Sequence, residues 1–431
     1  MMQTPRGASG MPDPDPTTVG LFHAVFLERA AGDLDASPEG RLGQAAFLVL
    51  RLIDLLATDR PGTSQDDLFR YQAAATARYC REEVAPCNEV EHLLRLVQSA
   101  TEAQRRRHPG WLASTMLRYA EVLEDSAKYD EALDVLHSLE RVAGTTMTSA
   151  DAVAAALQMG RVSRESARFG EAEAAYARAG QLAAAAGDPH SVLLSRLGQA
   201  NVHMARGNLA EAERVNREVL AAAQSVGERD VEARAEHQWG VALGARGQLP
   251  DAIPHLWRAF ERYNDPVRSL YALHDLGVAL SRVGEVDNAE QALRQVVQRG
   301  TTQSLTQNAM IELMHCASFR RDRVGFTRWR ASCEKARPGM APNILADYHL
   351  KVGIGLARFG QYARAEPELR QAQAVANAHG LHEFEFRIER IRTGLRECAA
   401  LEPAVPDTVS EPAIPPELLA DVASGLVALE R

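Results

Sequence analysis

The sequence predicts an all-α protein, a right-handed superhelical solenoid of antiparallel helical hairpins, and three observations predict it. One short pattern returns seven times: a small residue, a Gly, Ala or Asp seven residues later, an apolar residue two further on, and usually an Ala three beyond that. The clearest copies are LGVALSRVGEVDNAEQAL at Leu276–Leu293, WGVALGARGQLPDAIPHL at Trp239–Leu256 and VGIGLARFGQYARAEPEL at Val352–Leu369. Second, aligning the copies on Ala127, Ala167, Gly207, Gly247, Gly284, Asp322 and Gly360 gives spacings of 40, 40, 40, 37, 38 and 38 residues, a period that signals stacked repeats. Third, 46% of the residues are apolar but only 6% aromatic, and Ala-rich runs such as Ala152–Leu157 and Leu182–Gly187 favour helix over strand.

Within each copy two stretches of helical periodicity flank a short residue at which the chain must reverse, so each unit reads as a hairpin. Ala120, Gly160, Ala200, Gly240, Gly277 and Gly353 mark a close approach of the first helix, and Ala132, Ala172, Ala212, Ala252, Ala289 and Ala365 do the same for the second. Four residues after this second set come Leu136, Tyr176, Leu256, Leu293 and Leu369, expected to fill the gap to the next hairpin, with Asn216 and Ala331 breaking the rule. One hairpin cannot bury such a stripe alone, so the hairpins must stack.

A Leu-Gly pair in the first helix, followed by Ala and a large apolar residue in the second, resembles the tetratricopeptide repeat family. The resemblance covers 110–398, about two thirds of the chain. The copy at Ile311–Lys335 departs from it, with His315, Asp322 and Thr327 at positions for small residues. The period also exceeds the family's usual ~34 residues, adding up to about a turn per helix, as in lengthened versions found in bacterial regulators and adaptors.

The remaining segments follow in order. Residues 1–18 are rich in Pro, Asp and Gly and predict a disordered tail. Residues 19–109 predict helices at Val19–Ala31, Glu39–Thr58, Gln65–Val84 and Glu89–Arg106, read as degenerate hairpins capping the solenoid, with a separate effector domain as the competing reading. After the repeats, 399–414 is a Pro-rich acidic linker, and 415–431 an amphipathic helix with Leu418, Leu419, Val422, Leu426, Val427 and Leu429 on one face. That helix could fold back on the repeats, where an Arg-rich patch at Arg320–Arg337 could receive it, or pair between two chains.

Composition narrows the function. All but three of the 48 basic residues are Arg, the exceptions being Lys128, Lys335 and Lys351, which suggests a GC-rich bacterial genome. The net charge is −9, and the last 33 residues hold six acids against Arg431, so no global attraction for nucleic acid or an anionic membrane is expected. The five cysteines, Cys80, Cys87, Cys316, Cys333 and Cys398, have no metal-ligand spacing and read as reduced thiols. The start carries no signal-like apolar core and no stretch approaches 18 apolar residues, so a cytoplasmic location is expected.

No phosphate-binding loop, HExxH or GxSxG occurs, so no enzymatic activity, metal or cofactor is expected. The pairs His190/His203 and His379/His382 read as surface or groove residues. The stretch Phe319–Pro338 interleaves basic and aromatic residues in the way single-stranded nucleic acid is held, but Phe326 and Trp329 fall at helical spacing for packing inside the hairpin. What the resemblance implies is a protein- or peptide-binding scaffold with a concave groove lined by the first helices, or else a peptide-responsive sensor. Counting back from each turn places Asn201, Arg234, His237, Gln238, Val241, Tyr271, His274, Asp275 and Arg282 toward that groove. In the family an Asn here bonds the backbone of an extended peptide and a basic residue in the next repeat holds a carboxylate; Asn201 and Arg234 occupy matching places. Leu197 stands where chaperone-binding members carry a lysine.

Overall fold

The computed structural model describes residues 22–31, 37–57, 63–300, 302–400 and 414–429. The expected tail at 1–18 and most of the expected linker, 401–413, lie outside them. No strand occurs among the described residues. Four helices come first: α1 (Ala24–Ala31), α2 (Pro38–Asp54), α3 (Thr63–Glu82) and α4 (Asn88–Arg106). Seven hairpins follow. They are α5 (Ala113–Asp125) with α6 (Tyr129–Ala143), α7 (Ser149–Glu165) with α8 (Phe169–Ala186), α9 (Pro189–Ala205) with α10 (Leu209–Val226), and α11 (Arg229–Ala245) with α12 (Leu249–Arg262). Then come α13 (Pro266–Arg282) with α14 (Val286–Arg299), α15 (Gln303–Phe319) with α16 (Arg323–Ala336), and α17 (Pro342–Arg358) with α18 (Tyr362–Ala378). Two single helices, α19 (His382–Ala400) and α20 (Pro416–Leu429), end the described chain.

The chain divides inside α7 into two compact units, Met1–Ala155 and Ala156–Arg431. In the first, α2 is central, touched by α1, α3, α4 and α6. Its Ala45, Ala46, Val49, Leu50 and Ile53 are fully buried. Charge pins α1 at both ends. His23 sits between Asp134 (2.5 Å) and Asp54 (3.2 Å), and Arg29 donates to Glu89 (2.9 Å), which also accepts from Lys128 (2.9 Å) and Tyr119 (3.1 Å).

Each first helix ends the same way. The residues Ala127, Ala167, Gly207, Gly247, Gly284, Arg321 and Gly360 all take a left-handed backbone, φ between 58° and 92°. The amide of each turns back to the carbonyl three residues earlier, and the next amide to the carbonyl five residues earlier, as in Gly207 N to Met204 O (2.9 Å) and Asn208 N to His203 O (2.8 Å). This pair of hydrogen bonds caps carbonyls the helix cannot satisfy itself.

The sixth turn corrects the alignment: Arg321, not Asp322, is the left-handed residue, and Asp322 instead caps α16 by accepting from the Gly325 amide at 2.9 Å. A short acidic residue resembles a turn residue in sequence, but its carboxylate is worth more at a helix N-terminus. In the corrected register the small-residue positions hold Met314 and Phe326 rather than His315 and Thr327. Both are buried, and Gly355 makes room for Phe326, since a Cβ there would lie 2.3 Å from its ring.

The large residue of each second helix also packs differently from expectation. A Cβ on Gly240 would lie 2.8 Å from Leu256, on Gly277 2.8 Å from Leu293, on Gly353 2.7 Å from Leu369 and on Gly160 2.9 Å from Tyr176. The large side chain thus fills the space left by the glycine of its own hairpin. Tyr176 reaches the next hairpin as well, pressing on Gly198.

The left-handed turns give a direct test. Gly284→Ala should lower stability by about 1 kcal/mol, because an L-residue pays to hold this backbone, whereas Ala167→Gly should leave it level or raise it by a few tenths. Urea midpoints of the two variants should move apart; a shared direction would contradict the turn assignment.

Candidate binding site on the first-helix face

In the second unit the first helices pack on one another in succession, α9 on α11, α11 on α13, α13 on α15 and α15 on α17. Nine residues before each turn α11, α13, α15 and α17 carry Gln238, Asp275, Glu312 and Lys351, one polar row crossing four helices, while α9 has Gly198 there. The row begins with a neutral amide and ends in charges.

At α11 and α13 the row gathers a cluster. His237 Nε2 lies 2.9 Å from the Asp275 carboxylate, and the other carboxylate oxygen lies 3.1 Å from His274 Nδ1. His237 Nδ1 faces the Tyr263 hydroxyl at 3.3 Å, with the two rings edge to face. Burial pushes the Asp275 carboxyl up, but the bonds from His237 and His274 override it and hold the group well below the usual carboxylate range. His274 has used Nδ1, and its Nε2 has no partner among the described residues; the same is true of Gln238 Oε1.

Beside this cluster Arg234 donates to Asp230 at 2.7 Å, and Arg268 to Asp265 at 3.1 Å. Burial and the neighbouring Arg268 both lower the Arg234 pKa, so two guanidiniums from successive first helices stand close with only partial neutralisation. Such a place favours an added carboxylate. Burial raises the Tyr263 pKa, keeping its hydroxyl protonated as a donor.

Of the sequence-predicted residues, His237, His274 and Asp275 come together through hydrogen bonds. Arg234 adjoins them, and Tyr271 is exposed on the same helix as Asp275. Asn201 is half-buried on α9 and makes no side-chain hydrogen bond among the described residues. Arg282 serves another purpose, donating to the Gly244 carbonyl at the end of α11 (3.3 Å). Tyr263 and Arg268 were not singled out, since both lie off the counted register.

Also missed was the far end of the row. Lys351 is buried and donates to Glu312 (2.5 Å) and Asp347 (2.6 Å), tying α17 to α15. Its being one of three lysines in an arginine-rich chain was the available signal. Beside it, burial and the cations Lys351, Arg358 and Arg387 push His315 well below its ordinary pKa.

The Arg-rich stretch 319–338 is largely engaged. Arg321 and Arg323 donate to the closing carbonyls of α17, Arg358 O (2.6 Å) and Phe359 O (3.5 Å), and Arg330 donates to Glu368 (2.6 Å). Phe326 is buried, and Trp329 packs partly buried against the hairpin cores. Among the described residues no group of three or more His, Cys, Asp or Glu could hold a metal ion, and no helix is long and apolar enough to cross a membrane.

Comparison with known proteins bears on the fold. A tetratricopeptide repeat family profile matches residues 269–301, spanning most of α13 and all of α14. The repeats are of the tetratricopeptide type. Among solved structures, the Rap conjugation gene regulator of plasmid pLS20, in complex with the Phr* peptide, is similar at 10% identity and a TM-score of 0.53, over 81% of this chain and 96% of that one. The apo form of the quorum sensor NprR from B. thuringiensis is similar at 10% identity and 0.51, over 79% and 94%. No curated protein sequence matches. The shared property is the tetratricopeptide-type fold.

The depressed His315 pKa has a consequence for pH. The unfolded imidazole takes a proton below about pH 6.5 while the folded one resists it, so its contribution is present above that pH and lost as pH falls. His315→Gln should reduce the wild-type stability loss between pH 7 and pH 5.5 by about 1 kcal/mol. Urea melts at both pH values test this, and equal losses would contradict it.

Proposed function

We propose that this chain is a non-catalytic, cytoplasmic bacterial protein that binds a peptide or an extended protein segment across the first helices α9, α11 and α13. The observation that carries the reading is the polar cluster His237, His274, Asp275 and Arg234, with Gln238 Oε1 and His274 Nε2 left without partners. Its side chains serve neither the turns nor the small-to-large contacts that close the hairpins. Asn201 offers an amide to a peptide backbone, and Arg234 with Arg268 offers a place for a carboxylate, either an acidic side chain or a chain terminus. A preformed row on packed helices costs little ordering on binding. A peptide-responsive regulator is the second reading, supported by the likeness to a gene regulator solved with a peptide and to a quorum sensor.

The test uses a displayed library of short random peptides selected on the purified chain. Selected peptides should carry a carboxylate, and should lose at least tenfold in affinity to an Asn201→Ala, Gln238→Ala, Tyr271→Ala variant whose melting midpoint is close to the wild type. Peptides that bind the variant undiminished, or a library that yields none, would overturn the assignment.

A further inference from the structure

The second helices carry a feature that hairpin packing does not require. Ten residues after the turn, five of them expose Ala177, Arg217, Arg294, Ala331 and Arg370 to solvent. In α12 this position holds Trp257, only 8% exposed. Six residues after the turn, four of the second unit's helices carry Glu173, Glu213, Glu290 and Glu366 and α16 carries Thr327, where α12 has the fully buried Ile253. With Phe260, partly buried, α12 presents an apolar stripe on its outer side.

The stripe is covered by α20, which packs on α14 and buries Val422 and Leu426 completely in the same apolar cluster as Trp257, with Leu418, Leu419 and Leu429 partly buried. The expected landing place, the Arg320–Arg337 patch, is not where it docks. The fit is specific: a Cβ on Gly425 would lie 2.4 Å from the Trp257 ring, so the indole occupies the space a side chain would take. Arg299 donates to the carbonyl of Leu429, placing a cation at the negative end of the α20 dipole.

This helix does not cover an end of the stack. It packs on α14, and so lies on an outer side partway along the hairpins. It is 14 residues long, too short to hold a helix alone in water, so its folding and its docking are one event. Residues 401–415 join it to α19. An apolar groove filled by a short amphipathic helix on a tether has the physics of helix-in-groove recognition, with the occupant present at high effective concentration.

We propose that the outer face of α12 and α14 is a recognition groove for an amphipathic helix of a partner protein, and that α20 is its resident, exchangeable occupant. The partner helix it fits carries apolar residues at the spacing of Leu418, Val422, Leu426 and Leu429, a Gly or Ala against Trp257, and a free carbonyl end toward Arg299. Because this groove lies on the second helices, it operates separately from the polar cluster on the first.

The test uses the full chain and, as probe, a fluorescent synthetic peptide of residues 414–431. Gly425→Leu in the chain should evict α20, shifting Trp257 emission to the red, with a Trp257→Phe background isolating that signal. The peptide should bind this variant at least tenfold more tightly than the wild type, as a monomer complex, while a peptide carrying G425L should bind neither. Leu426→Asp provides a second eviction should a leucine at 425 be accommodated. Unshifted emission in both variants, an opened groove that ignores the peptide, or wild-type dimers that dissociate on eviction, meaning that a second copy fills the groove, would each overturn the proposal.

Discussion

Every hairpin with a glycine seven residues before its turn closes on one contact, glycine against a leucine or tyrosine of the partner helix, with no room for another atom between them. The contact fixes how far apart the two helices stand, and the left-handed turn between them fixes their register. With both set, a given residue count from the turn selects one face of the helix in every repeat. The polar row on the first helices and the apolar stripe on α12 exist as surfaces only because that count holds.

The sixth hairpin illustrates the constraint by its exception. Phe326 takes the place of a small residue, and Gly355 on the following first helix yields the volume, so the small partner comes from the next hairpin instead of its own. Packing density is conserved although the pattern is not. Arg321 holds a left-handed turn without being glycine, and its guanidinium is put to use on the Arg358 carbonyl. These substitutions leave the hairpin intact while hiding it from a search for the usual residues.

Much of this was legible in the sequence because the period is set by backbone geometry and small residues leave a strong mark. Six of seven turns were placed correctly, and His237, His274 and Asp275 were assigned to one face by counting. Pairing was not legible: that Arg282 closes α11, that Tyr263 meets His237, and that Lys351 bridges Glu312 and Asp347 depend on which neighbour a long side chain reaches. The destination of α20 was readable in principle, since Ile253 and Trp257 stand where other second helices carry mostly Glu, and Arg or Ala. Its amphipathic stripe was seen, but charge pointed to the Arg-rich patch, whose arginines are spent on α17 carbonyls and Glu368. Apolar fit decided the contact.

The central claim is that complementary volumes across each hairpin set its geometry, and a double-mutant cycle at Gly277 and Leu293 measures it. Gly277→Leu should cost about 1–3 kcal/mol by overpacking, and Leu293→Ala about 2–5 kcal/mol by the cavity it leaves. Combined, the new leucine fills the vacated space, so the pair should be more stable than the sum by at least about 1 kcal/mol. Additive losses would mean that the two residues do not share one volume, and the register on which both surfaces rest would be wrong.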